Sequence, residues 1–150
     1  MKIQLRAIGI IRSPFQDVKG MPIQSAGASD VQGRVIVDTL FEEGLTDIEG
    51  FSHIILIYLF HRSEGHQLLV KPFLDDALHG VFATRAPRRP NPIGLSIVEL
   101  IKRQKNVLHI RGVDVLDNTP LLDIKPYIPH WERDSEIKIG WLEGKIKYTK

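Results

Sequence analysis

The sequence predicts a mainly β fold, a single-domain, largely antiparallel β-barrel with a few short helices. Short stretches of alternating, β-branched residues recur along the chain, the pattern of half-buried strands. Stretches that favour helix are few and brief. No G-x-G-x-x-G follows a first strand, and the repeated crossover helices of a layered α/β fold are not signalled.

Taken in order, residues 3–11 alternate polar and apolar and read as the first strand. Residues 14–33 are polar and rich in Gly, Ser, Ala and Pro, a loop long enough to read as a lid over a site. Residues 33–38 make a second strand, and residues 42–49 a two-turn helix that Gly50 stops. Residues 51–60 are nearly all apolar and read as a central strand buried on both faces, although a buried helix gives the same run. Residues 74–78 allow one helical turn ending near Gly80, and residues 81–84, 95–102 and 107–113 read as strands. Gln104-Lys105-Asn106 joins the last two as an antiparallel hairpin. Residues 130–150 mix Lys with Glu and carry Trp131 and Trp141, a packed extension of one domain covering 1–150.

A chain of 150 residues fits one hydrophobic core, and 43% hydrophobic with 25% charged residues argues against disorder. With no cysteine, disulfides, thiolate metal sites and cysteine nucleophiles are excluded, in keeping with a reducing, cytoplasmic setting. No apolar run approaches the roughly 20 residues that span a bilayer, so neither a signal peptide, a membrane anchor nor a membrane partner is expected. The net charge of +2 is too small to announce a polyanionic partner by its sum, which makes local clusters the informative quantity.

The densest cluster lies in Thr84-Arg85-Ala86-Pro87-Arg88-Arg89-Pro90-Asn91-Pro92. Three prolines stiffen the loop, and guanidinium groups held on it suit a carboxylate or a phosphate. The same residues also read as a solvated loop or as a polyproline ligand for a partner domain. Asp114-Val115-Leu116-Asp117-Asn118-Thr119-Pro120 carries turn chemistry, in which the carboxylates either bind a ligand's hydroxyls or amine or merely cap the turn. His61-Arg62 falls where the long apolar strand ends, a common place for a site and equally for an ordinary surface pair. The six histidines fall in no ligand spacing, so no metal is assigned, and G-x-S-x-G is absent.

These segments together resemble the TsaA-like (TrmO) family of S-adenosylmethionine-dependent tRNA adenine-N6 methyltransferases. The resemblance rests on Gly9-x-Ile11-Arg12-Ser13-Pro14, on Phe51-Ser52-His53 leading to Phe60-His61, on Gly80-Val81-Phe82-Ala83-Thr84-Arg85 running into Arg89-Pro90-Asn91-Pro92-Ile93-Gly94, and on Asp117-Asn118-Thr119-Pro120 followed by Asp123-Ile124-Lys125-Pro126-Tyr127. It implies a barrel that dimerises and binds S-adenosyl-L-methionine near the subunit interface. The implied acceptor is the N6 nitrogen of threonylcarbamoyladenosine beside a tRNA anticodon. Carried over by motif, the cofactor residues are Pro22, Gln24, His61, Arg62, Arg85, Leu95, Asp114, Asp117 and Thr119. Asp117 is the candidate for taking the acceptor's proton. Arg88 and Arg89 are expected on the RNA backbone, and Tyr127, Phe82 or Trp131 on the base.

Two departures stand out. Asn118 occupies a position where the family usually has glycine, and asparagine tolerates the left-handed backbone that such a turn requires. The longer members also add a C-terminal domain beyond the region matched here. The competing expectations are a non-catalytic RNA-binding barrel and a methyltransferase of the same scaffold with a small-molecule or protein acceptor.

Overall fold

Side chains that alternate along paired strands sort themselves to two faces, and here one set of faces closes around a common interior. The computed structural model describes residues 1–19, 21, 30–129 and 137–147. Its strands are β1 (Gly9–Arg12), β2 (Gln32–Val37), β3 (His53–Leu59), β4 (Leu69–Val70), β5 (His79–Gly80), β6 (Ile93–Gln104), β7 (Val107–Arg111) and β8 (Thr119–Pro126). Six of them form a closed antiparallel barrel in the order β1-β2-β7-β6-β3-β8, with β8 returning to β1. β4 and β5 make a separate two-stranded hairpin.

Ile11, Val35, Ile54, Leu56, Val98, Leu108, Ile110 and Leu121 fill the barrel. Each is almost wholly buried, which is the main source of stability for a fold of this size. Two irregularities bend the strands, between Ile57 and Tyr58 where β3 meets β8, and between Leu100 and Lys102 where β6 meets β7. Lys105, with φ at 54°, turns the tight connection between β6 and β7, the hairpin the sequence predicts.

The fold class and the order of the main strands follow the sequence, but several elements differ. The first strand is only four residues long, because the ladders with β2 and β8 begin at Gly9, with single bonds from Ile8 N–H to Leu121 O and from Asp38 N–H to Ile8 O just ahead of them. Ahead of it, Ile3 and Leu5 are exposed. Residues 81–84 form no strand: Val81–Ala83 is a short 3-10 turn, entered through Val81 N–H bonding Leu68 O. Residues 74–78 form no helix and instead make up the bend between β4 and β5, where Asp75 N–H bonds Pro72 O.

The expected helix at 42–49 is two 3-10 segments, Thr39–Leu45 and Ile48–Gly50. The first is capped by Asp38, whose Oδ1 accepts from Leu40 N–H at 3.0 Å, and Asp47 with φ at 70° separates them. β3 is a strand, but burial alternates along it. Ile54, Leu56 and Tyr58 point inward, and Ile55, Ile57 and Leu59 are only half-buried on the outer face. Among the described residues no helix is long and apolar enough to cross a membrane.

Candidate functional site

The turn before β8 is where distant segments meet. Asn118 takes the left-handed conformation with φ at 62°, as its place in the turn requires. Asp117 is 6% exposed, and its Oδ1 accepts from Ser13 N–H at 3.0 Å and faces Arg12 Nε at 3.0 Å. Arg12 Nη1 donates to Asn118 Oδ1 at 2.8 Å, and Ser13 Oγ donates to Val115 O at 2.6 Å. Asp117 N–H completes the lacing on Phe15 O at 2.7 Å. The end of β1 and the turn into β8 therefore form one hydrogen-bonded unit.

A second polar chain starts inside the barrel. Tyr58 and Ser96 both point inward and are 4% and 3% exposed. Their hydroxyl oxygens lie 2.9 Å apart, and Ser96 Oγ donates to Asp114 Oδ1 at 2.5 Å. Since the single Ser96 hydrogen goes to the carboxylate, Tyr58 O–H is the donor to Ser96. The order is thus Tyr58 to Ser96 to Asp114. Burial, reinforced by the negative charge of Asp114, pushes the Tyr58 phenol well above its ordinary range, while the Ser96 hydrogen bond and the Arg85 charge oppose the shift. Gly94, directly across from Tyr58, leaves room for its ring: a Cβ there would sit 2.3 Å from a Tyr58 ring atom.

His61 follows β3, and its Nδ1 lies 3.5 Å from Thr119 Oγ1, which itself donates to Leu116 O at 2.7 Å. Arg62 Nη1 donates to Gln16 O at 2.6 Å, fastening the start of the long loop after β1. The arginine-proline loop is stitched to the segment after β3 by Ser63 Oγ on Pro87 O at 3.0 Å and Arg88 Nε on Glu64 O at 3.2 Å. Arg89 folds back on its own loop, donating through Nη1 to Thr84 O at 2.9 Å and Ala86 O at 3.1 Å, over the ring of Phe82. Arg85 and Arg88 stay exposed. A further tie comes from the C-terminal segment, where Trp141 Nε1 donates to Ala83 O at 2.8 Å and the indole stacks on His79.

Of the residues expected at the site, Asp117 and Thr119 sit in the turn, His61 contacts Thr119, and Arg62 anchors the loop that leads toward it. Arg85 acts electrostatically on the chain that ends at Asp114, and Leu95 lies on the outer face of β6 beside that chain. Pro22, Gln24 and Trp131 lie outside the described residues. Tyr127 is not brought to this end. It follows β8, packing edge-on against His53 at the start of β3, a strand length away from Thr119. Sequence reasoning missed Tyr58 and Ser96 as site residues, and quoted Arg12 and Ser13 only as motif letters. The surface hollow beside Gly9, Asp38 and Asn106 lies at the opposite end of β1 from Arg12 and holds none of the candidate residues. No group of three or more potential metal-ligating side chains occurs among the described residues.

Residues 10–133 match the family described as the tRNA-methyltransferase O N-terminal domain. The chain belongs to that family. A probable S-adenosyl-L-methionine-binding protein of Pyrococcus abyssi is 56% identical over 146 residues, covering 97% of this chain and 79% of that one. The tRNA (adenine(37)-N6)-methyltransferase of Escherichia coli is 34% identical over 139 residues, covering 86% of this chain and 59% of that one. Among solved structures, a TrmO crystal structure superposes with a TM-score of 0.79 at 38% identity, over 93% of this chain and 64% of the other. TrmO from Pseudomonas aeruginosa superposes at 0.78 with 36% identity, over 94% and 63%. The chain thus spans slightly less than two thirds of these TrmO structures, and its barrel is the family's shared part.

Proposed function

We propose that this chain is an S-adenosylmethionine-dependent methyltransferase whose acceptor is the N6 nitrogen of adenosine 37, beside the anticodon of a tRNA. One observation carries the reading: of the segments by which the chain resembles its family, the end of β1, His61 after β3 and the turn into β8, far apart in sequence, meet at one end of the barrel around Asp117 and Thr119. A cytoplasmic location accompanies a tRNA substrate. The finer proposal is that the adenosine already carries a threonylcarbamoyl group.

The donor set fits a zwitterionic nucleoside. The exposed Arg85 guanidinium suits a carboxylate, and the half-buried Asp114 suits an ammonium group or ribose hydroxyls. Leu95, 47% exposed, offers apolar surface to a base. Bound there, S-adenosylmethionine supplies an electrophilic methyl group on a sulfonium. The protein's task is then mostly positioning, since in-line displacement gains most from fixed geometry. The acceptor nitrogen must also shed a proton. Asp117 Oδ1 already serves Ser13 and Arg12, so Oδ2 is the proposed proton acceptor. The exposed Arg88 is the proposed phosphate contact.

A homodimer is part of the proposal. On the outer face of β3 and β6, Ile55 pairs with Ile97, Ile57 with Leu95, and Leu59 with Ile93, an unbroken apolar ladder. Ile93, Leu95 and Ile97 are 39%, 47% and 37% exposed, an apolar surface that a second copy would cover. Leu95 would place the cofactor beside that interface.

The test is methyl incorporation from labelled S-adenosylmethionine into two tRNA pools, one carrying threonylcarbamoyladenosine and one from cells unable to make it. Label in the first pool alone supports the full reading, and label in both removes the need for the threonylcarbamoyl group. Label in neither, with cofactor still bound, moves the acceptor to a small molecule or protein. Failure to bind cofactor leaves a non-catalytic RNA-binding barrel.

A further inference from the structure

Strand register brings four basic residues into one line across the outside of the barrel. Arg12 of β1 is directly opposite Arg34 of β2, Arg34 is opposite His109 of β7, and His109 is opposite Lys102 of β6. Their neighbours Ile11, Val35 and Leu108 are buried inside, so the row faces outward. Arg34 and Lys102 are exposed, and the Arg12 side chain is 41% exposed.

Arg12 and Arg34 are like charges directly opposite one another, which weakens a sheet, and Asp117 pairs with Arg12, so Arg34 and Lys102 are the charges left for a group outside the protein to neutralise. Among the described residues, the carboxylates that form ion pairs on this side engage Arg12, Arg103 and Arg111, and Arg34, His109 and Lys102 have none. Adjacent strands lie about 4.8 Å apart, so the row runs roughly 14 Å across four strands. That is long enough to follow several consecutive phosphates of one nucleic-acid strand.

The row is also joined to the candidate site. Arg12, its first member, bonds Asn118 and pairs with Asp117. A polyanion with one nucleotide engaged at that turn has the row directly beside it. We propose that Arg34, His109 and Lys102 form a backbone-phosphate track for the tRNA. This surface is separate from the arginine-proline loop, and the proposal rests on the tRNA reading given above. Guanidinium and ammonium groups serve here as sequence-independent contacts that fix orientation.

The test uses the full chain and tRNA carrying threonylcarbamoyladenosine in a binding titration over a potassium chloride series, for the wild type, the Arg34→Ala/Lys102→Ala double variant and Arg34→Glu. S-adenosylmethionine affinity and thermal midpoint are measured alongside. The expected result is a tRNA affinity lowered about tenfold and a log–log salt slope shallower by about 1 to 2 for the double variant. Arg34→Glu is expected to bind more weakly still. Cofactor affinity should be unchanged and the thermal midpoint should not fall, because none of these side chains enters the core or the turn. An unchanged salt slope in variants that still bind tRNA overturns the track and leaves the tRNA reading intact. A wild-type protein that binds cofactor but no tRNA at low salt overturns both.

Discussion

The guanidinium of Arg12 meets the carboxylate of Asp117 at 3.0 Å, tying the last residue of β1 to the turn that opens β8. Asp117 is nearly buried, so removing its carboxylate leaves Ser13 N–H without its acceptor and Arg12, still bonded to Asn118, without its ion pair. Asp117→Ala is expected to cost about 2–4 kcal/mol of stability, read as a lowered thermal midpoint. Asp117→Asn separates structure from chemistry. If Oδ2 takes the acceptor's proton, turnover falls far more than cofactor affinity, whereas equal losses of both would leave Asp117 as a binding residue only.

The Tyr58, Ser96 and Asp114 chain predicts a directional effect. Tyr58→Phe keeps the ring packed between Gly94 and Phe60 and removes one hydrogen bond, costing about 1 kcal/mol. Ser96→Ala takes the donor from Asp114 and should weaken cofactor binding more than Tyr58→Phe does. Isothermal titration of both single variants and the double variant measures the coupling, and strictly additive losses would mean that the three residues do not act as a chain.

Tyr58 also sets an alkaline limit. Its folded-state pKa is raised above the ordinary tyrosine value of 10.0, so the folded protein keeps a proton that the unfolded chain gives up. Stability from this group is complete below about pH 10 and declines as pH rises beyond it. Chemical denaturation between neutral and strongly alkaline pH should show a steeper loss for the wild type than for Tyr58→Phe. Matching slopes would contradict this account.

Asp75 works in the opposite sense. Lys145 Nζ at 2.8 Å and His79 Nε2 at 2.7 Å hold its carboxyl well below the usual carboxylate range. The contribution is therefore present above the ordinary carboxylate value and is lost only as pH falls through the lower, folded-state one. Asp75→Asn is expected to release the 137–147 segment and with it the Trp141 bond to Ala83. Trp141 emission in a Trp131→Phe background should shift at neutral pH in the Asp75→Asn variant, and an unshifted spectrum would count against the tie.

Gly94→Ala tests packing at the site. The added Cβ would stand 2.3 Å from one Tyr58 ring atom and 2.8 Å from the Phe60 ring, so both aromatics must move. A destabilisation of about 1–3 kcal/mol is expected, with weaker cofactor binding as Tyr58 leaves Ser96. A crystal structure of the variant with Tyr58 in place would refute this.

Much of the fold was legible because strands announce themselves by alternation. The strand expected at 33–38 is Gln32–Val37, that at 107–113 is Val107–Arg111, and the polar turn between 102 and 107 joins a hairpin. Alternation failed at residues 3–7, where the pattern is present but a partner strand is not. Helical composition failed at 74–78, where a hairpin bend satisfies the backbone instead. At the candidate site, residue types could be read but not their pairings. Ser96 was the available signal, a lone hydroxyl at an inward position of an apolar strand, which needs a partner once buried. That the partners are Tyr58 and Asp114, and that Arg34 lines up with His109 and Lys102, depends on register, and register arises from how six strands close.

That closure has a consequence for how the chain comes into being. β8 is the last barrel strand to be synthesised, and it slots between β1 and β3, among the earliest. Until Pro126 has left the ribosome, the sheet has two open edges and the Asp117 turn has nothing to tie. A nascent chain in that state, or one cut short before Thr119, offers bare strand edges to its neighbours. Its hazard during biosynthesis is edge-to-edge association, and the step that ends the hazard is the same one that assembles the candidate site.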